Sequence, residues 1–308
     1  MQSNNNSRRQ FLKMSLAAGI GASLFPQLAF ASPNRAFKIS LAQWSLHRAF
    51  KSGKMDARNF ASITRKLFNL DAIEYVNQFY FDNLSDKLVA GLKQQAKDEG
   101  IESRLIMCDG EGALGDQDKN KRLQAVKNHY RWADAAAELG CHSIRVNAQS
   151  SGSYDEQQKA AADGLNQLAE YCDKLKLNVI VENHGGLSSN GKWLSGVMKL
   201  ADNPRVGTLP DFGNFVLNYQ TGEQYDKYQG VKELMPYAKA VSAKTNRIDV
   251  HGNEPDIDYF KMMKIVTDAG YHDYVGIEYE GDDWPEIEGI HQTIALLERV
   301  NRALVEKA

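Results

Sequence analysis

The sequence predicts a single (β/α)8 barrel of the TIM type, and three observations carry that expectation. From Phe37 onward, short β-rich runs alternate with longer stretches of helical period, the pattern of βα units around a parallel sheet. There are eight such runs, with starts about 28 to 41 residues apart, close to the length that a strand, a crossover helix and two loops require. No Pro- or Ser-rich linker interrupts the series, so the eight units read as one domain. The expected strands are Phe37 to Leu46, Ala72 to Gln78, Glu102 to Cys108, Ser143 to Ala148, Asn178 to Asn183, Val206 to Asp211, Lys239 to Lys244 and Tyr274 to Tyr279. After the first comes Gln43-Trp44-Ser45-Leu46-His47-Arg48, which lacks the glycine-rich turn of a dinucleotide site and disfavours a doubly wound open sheet. The intervening helices show an apolar stripe, Leu165, Leu168, Cys172 and Leu175 in one and Ile287, Ile290, Ile294, Leu297 and Leu304 in the last. Asp256 is read as the N-cap of the helix before the eighth strand.

Composition agrees with a folded soluble domain: of 308 residues, 43% are hydrophobic and 25% charged. Two average domains would fit that length, but a barrel of this type commonly takes about 250 residues as one unit. The 37 Lys and Arg residues face 39 Asp and Glu and form no basic stripe, which argues against a nucleic-acid or anionic-membrane surface. Cys108, Cys141 and Cys172 are odd in number and lack CxxC spacing, so they read as small buried apolar residues.

Residues 1–31 contain no acid. Ser7-Arg8-Arg9-Gln10-Phe11-Leu12-Lys13 precedes a mildly apolar, uncharged run through Ala18, Ile20, Leu24 and Phe25, then Ala29-Phe30-Ala31. A basic start, a short apolar middle and small residues before a cleavage point near Ala31-Ser32 describe a signal peptide. Gly19, Gly21, Pro26 and Gln27 make the apolar stretch weak for a membrane span of about 20 residues, so no stable anchor is expected. The Ser-Arg-Arg-x-Phe-Leu-Lys string resembles the bacterial twin-arginine signal, which implies the twin-arginine export machinery as a partner and a periplasmic or otherwise exported location. Removing Arg8, Arg9 and Lys13 leaves 34 basic against 39 acidic residues over 32–308, a net of −5.

The ends of strands are where barrel chemistry sits. The fifth ends Val179-Ile180-Val181-Glu182-Asn183-His184-Gly185-Gly186, the sixth Thr208-Leu209-Pro210-Asp211-Phe212-Gly213-Asn214, and the eighth Gly276-Ile277-Glu278-Tyr279-Glu280-Gly281. Each places a carboxylate after an aliphatic run, where an unpartnered charge is costly. Glu182, Asp211 and Glu278 converging on one barrel mouth form a candidate site for a hard divalent cation, Mg2+ or Mn2+. Alternation puts Glu182 and His184 on one face if the strand persists that far, leaving His184 as a ligand, an acid/base group or a rim residue. Glu74, Arg145 and Asn147 share inward parity on the second and fourth strands, and Trp44 and His47 end the first. Trp44 can stack on a sugar face or pack at the mouth.

These motifs resemble the xylose isomerase-like barrel superfamily, often called sugar phosphate isomerase/epimerase, over essentially all of 32–308. The resemblance implies a metal held by Glu after strand five, Asp after strand six, His in strand seven and Glu in strand eight; Glu182, Asp211 and Glu278 match three of the four. The usual His-x-Lys of strand seven is Ser242-Ala243-Lys244 here, so the histidine ligand is missing. Lys244 is left to bind a substrate oxygen, to stabilise charge or to pair with a strand-end acid, and Ser242 and Asn214 join the substrate-binding candidates.

By the same resemblance, Glu182 and Glu278 move a proton on the carbon beside a carbonyl, the cation stabilising the enediolate. Return of the proton gives an isomerase or epimerase acting on a non-phosphorylated sugar or glycoside. Expulsion of a leaving group gives a lyase or dehydratase acting on 3-keto-glycosides. A non-catalytic sugar-binding barrel is the alternative that the lost histidine motivates. The superfamily's apurinic endonucleases need many histidines and a basic groove, and seven histidines with a negative charge argue against that branch.

Overall fold

The computed structural model describes residues 35–148 and 150–306. The leader read from residues 1–31 lies outside the described residues. Eight parallel strands form the barrel: β1 (Lys38–Ala42), β2 (Ala72–Val76), β3 (Glu102–Met107), β4 (Ser143–Val146), β5 (Asn178–Glu182), β6 (Val206–Leu209), β7 (Val241–Thr245) and β8 (Tyr274–Tyr279). They pair in the order β6-β5-β4-β3-β2-β1-β8-β7. The remaining seam, between β6 and β7, closes through the Thr208–Ala238 and Asp211–Ser242 bridges, with Lys239 N donating to Thr208 O at 3.0 Å and Ser242 N to Pro210 O at 3.0 Å. Every expected strand is present.

Strand alternation sorts the side chains into two cores. Ala42, Val76, Leu105, Met107, Ile180, Leu209 and Ala240 cluster inside the barrel. A larger outer cluster, including Leu165, Leu168, Cys172, Ile290 and Leu297 from the striped helices, packs helices on strands. All three cysteines are free and buried. Among the described residues no helix is long and apolar enough to cross a membrane.

Three local departures matter. Strand β1 stops at Ala42 and Gln43–Leu46 forms a 3-10 turn. There, side chains replace the ladder: Gln43 Oε1 accepts from Val76 N at 2.9 Å, and Ser45 Oγ donates to Ile277 O at 3.0 Å while accepting from Tyr279 N at 2.9 Å. Asp256 is not the expected cap: it pairs with Arg247 at 2.7 Å, and Asp258, two residues nearer helix Tyr259–Asp268, accepts from Lys261 N at 3.0 Å. After β6, Val216–Asn218 and Glu223–Gln224 form a small antiparallel hairpin that the alternation did not announce.

Candidate active site

Strand β5 ends on Glu182, Asp211 follows β6, and Glu278 lies within β8. Their carboxylates meet inside the mouth, each offering one oxygen within 4.8 Å of the others, and all three are buried. Ser242 stands where the family's histidine is expected, its Oγ 2.7 Å from Asp211 Oδ2 and 3.2 Å from Glu278 Oε2. A hydroxyl carries one proton, so it donates to one of these oxygens at a time. The β7–β8 register sets Lys244 beside Glu278. Its ammonium donates to Glu278 Oε1 at 3.0 Å and Glu280 Oε2 at 2.9 Å, with Asp211 Oδ2 3.9 Å away. Burial alone would lower the lysine, but Glu278, Asp211 and Glu280 outweigh it and hold the amine charged.

On the β5 side, Asn214 Nδ2 donates to Glu182 Oε1 at 2.9 Å, and the amides of Gly213 and Asn214 both donate to Asp211 Oδ1 at 2.8 Å. Arg145 Nε lies 2.8 Å from Glu182 Oε2, but outside hydrogen-bond geometry, and among the described residues that oxygen has no hydrogen-bond partner. Burial, followed by the neighbouring carboxylates, raises Glu182 to about 8 against the pull of Arg145. Burial also raises Asp211, to about 6. An all-oxygen donor set, one orphaned carboxylate oxygen and two acids driven toward neutrality fit a hard divalent cation.

Above this cluster opens a cavity of about 280 Å3, walled by Trp44, Gln78, Asp109, Arg145, Asn147, His184, Glu278 and Glu280 among others. Of the three clustered acids only Glu278 lines it; Glu182 and Asp211 lie behind the wall. Strand β5 ends before His184, so alternation does not carry that far; Gly185 turns the chain at φ +85° and brings the imidazole to the rim. Burial, then Arg145, keeps His184 below its ordinary value, which favours the neutral ring. Trp44 reaches the cavity from the 3-10 turn, its indole N–H donating to Glu280.

Two sequence candidates lie elsewhere. His47 does not line the cavity; it stacks behind Trp44 with ring centroids 4.8 Å apart because the 3-10 turn swings it off the strand axis. Glu74 points inward as its parity required, but deeper, where Ser40 Oγ donates to it at 2.6 Å. Gly276 leaves room for it: a β-carbon there would sit 2.4 Å from Glu74 Oε1. Conversely, Asp109, Glu280 and Gln78 escaped the sequence reading. Asp109 accepts from Arg145 Nη1 and Asn147 Nδ2, both at 2.7 Å. Burial opposes its charge, but Arg145 wins and pulls it to about 2. Its signal was legible, an acid followed by glycine two residues past the end of β3, as was the Glu278-Tyr279-Glu280 parity.

Comparison with known proteins agrees with this architecture. The profile of the family described as xylose isomerase-like TIM barrel matches residues 65–300. A D-tagatose 3-epimerase-like protein superposes with TM-score 0.66 at 16% identity, covering 87% of this chain and 100% of its own. The 3-keto-D-glucoside 4-epimerase YcjR of E. coli superposes with TM-score 0.63 at 17% identity, over 79% of this chain and 94% of its own. A xylose isomerase-like TIM barrel protein from Mycobacterium smegmatis, solved with magnesium, gives TM-score 0.62 at 14% identity, over 87% and 98%. In sequence, the 3'-dehydrocarminate deglycosidase alpha subunit of Microbacterium sp is 30% identical over 71 residues, 23% of this chain and only 20% of that relative's length.

Proposed function

The chain belongs to the xylose isomerase-like TIM barrel family, and from that premise we propose that it is a sugar-modifying enzyme that removes and returns a proton on the carbon beside a carbonyl. The observation that carries this reading is Glu278, the one residue that belongs both to the buried three-carboxylate cluster and to the cavity wall. The names of the similar structures, epimerases of keto-sugars and of a 3-keto-glucoside, support the same substrate class. The charge of the lining supports a non-phosphorylated substrate: Asp109, Glu278 and Glu280 line the cavity, and its cation Arg145 is already paired with Asp109 and Glu182.

Glu182, Asp211 and Glu278 would hold a divalent cation, Mn2+ or Mg2+, which when bound supplies positive charge to the oxygens of an enediolate. Lys244 holds Oε1 of Glu278, with the Ser242 hydroxyl shared between Oε2 and Asp211, and so fixes the orientation of the carboxylate that takes the proton. Glu182, within 4.8 Å of it, is the second proton-transfer group. His184 offers a neutral imidazole to the same cavity and suits proton exchange with a substrate hydroxyl. Trp44 presents an apolar face to the sugar ring, locked by its bond to Glu280. Return of the proton to the opposite face gives an epimer; to the neighbouring carbon, an isomer. Loss of a leaving group from the same carbanion gives elimination.

Incubation with ketohexoses and 3-keto-glucosides in D2O is expected to place deuterium on the carbon beside the carbonyl, and Glu278→Gln to slow that exchange by about 100-fold or more. Unchanged exchange in a Glu182→Gln, Glu278→Gln double variant overturns the assignment.

A further inference from the structure

A second, larger cavity opens beside the first. Its volume is about 720 Å3, and His184 walls both. The shared lip continues along the chain, Asn147 lining the first cavity and its neighbour Ala148 the second. The first, at about 280 Å3, is at the small end for ligand sites and suits one sugar ring. The second is thus the adjoining space for a ligand too large for the first.

The composition of the second cavity indicates what it receives. Tyr154 and Tyr219 are 39% and 74% exposed, both among the large apolar side chains turned to solvent, and both line it. Tyr219 is delivered by the hairpin after β6 and leans on the backbone of Gly185, where a β-carbon would lie 3.3 Å from its ring. The φ of +85° at Gly185 and the absence of a side chain are thus what allow the aromatic to lie next to His184. Ser150, Ser188, Asn190 and Asn218 line it as well, Glu223 adds one carboxylate, and among the described residues no Lys or Arg lines the cavity. Exposed aromatic faces among hydrogen-bonding groups, with a carboxylate at Glu223 and no cation to hold an anion, match a planar or ring-shaped partner that carries no negative charge.

We propose that this cavity is the aglycone subsite: the protein takes a glycoside, with its sugar ring over Glu278 and an uncharged second ring, aromatic or sugar, against Tyr219 and Tyr154. The proposal rests on the proton-transfer reading only for the identity of the sugar half.

Binding to the full chain, read by calorimetry without turnover, tests it with matched methyl and phenyl β-D-glucosides, β-D-galactosides and β-D-xylosides. In at least one pair the phenyl glycoside is expected to bind about tenfold more tightly than the methyl glycoside, the worth of one aromatic stack. Tyr219→Ala should erase that advantage while the methyl glycoside affinity stays within about twofold. Because Tyr219 is largely exposed, the variant should keep its melting temperature, and Tyr154→Ala serves as the second probe of the same wall. Equal affinities in every pair, an advantage that survives both substitutions, or no binding by any pair overturns the subsite. An aromatic advantage in a protein that exchanges no carbon-bound proton supports the subsite and overturns the proton-transfer reading instead. Exchange without the advantage does the reverse.

Discussion

Glu74 reaches into the barrel from β2 with one oxygen accepting from Ser40 Oγ at 2.6 Å and the other without a hydrogen-bond partner among the described residues. Burial pushes its carboxyl up to about 7, with Ser40 opposing and Glu278 adding to the rise. In the unfolded chain the group titrates near its ordinary 4.5, so the folded state holds the proton more tightly. Its stabilising contribution is therefore complete below about 4.5, falls as pH rises and is lost above about 7, a loss on the order of 3 kcal/mol. Glu74→Gln keeps the shape and removes the titration. The variant should melt above the parent protein at pH 8, and its melting temperature should fall less steeply between pH 5 and pH 8; identical slopes would contradict this account. Inward parity at Glu74 was legible in the sequence, but its depth was not. Parity names a face of a strand, and depth depends on how neighbouring strands are staggered.

Helix Tyr154–Lys174 begins with a capping box, Ser153 Oγ accepting from Glu156 N at 3.4 Å and Glu156 Oε2 accepting from Ser153 N at 2.9 Å. Its Gly164 is buried, and a β-carbon there would come 1.9 Å from the carbonyl oxygen of Leu114. Alanine is ordinarily the better helix former by about 1 kcal/mol. Here the clash is with backbone, which cannot rotate away, so Gly164→Ala is expected to destabilise by about 1–3 kcal/mol, read as a lower urea midpoint; a raised midpoint would refute the close packing. Elements of this length were legible because their apolar stripes repeat several times. The hairpin that carries Tyr219 was not, since strands of three and two residues are too short to show a period. The overlong first strand has a different cause: Gln43 and Ser45 bond neighbouring strands through side chains, and such tertiary hydrogen bonds leave no mark on β propensity.

Across the whole barrel, Asp109, Glu182, Asp211, Glu278 and Glu280 gather around Arg145 and Lys244, an excess of negative charge in a closed space. Burial first, and the neighbouring carboxylates after it, make Glu182 and Asp211 hold protons more tightly than ordinary carboxylates do. A divalent cation has to displace those protons, so it binds better as pH rises. Mn2+ should therefore raise the melting temperature more at pH 8 than at pH 5.5, with no rise in Asp211→Ala; a shift that ignores pH or survives the substitution would count against the site. The (β/α)8 class, the eight strands and the three strand-end acids were determined by sequence alone, because spacing and alternation are local and repeat along the chain. Only the tertiary structure decided that Ser242 fills the space between Asp211 and Glu278, that Lys244 is spent on Glu278 and Glu280, that Arg145 joins Asp109 to Glu182, and that two cavities meet at His184. Those relations hold between strands far apart in sequence, and they arise from closure of the barrel and the register of its staggered strands, which local periodicity does not encode.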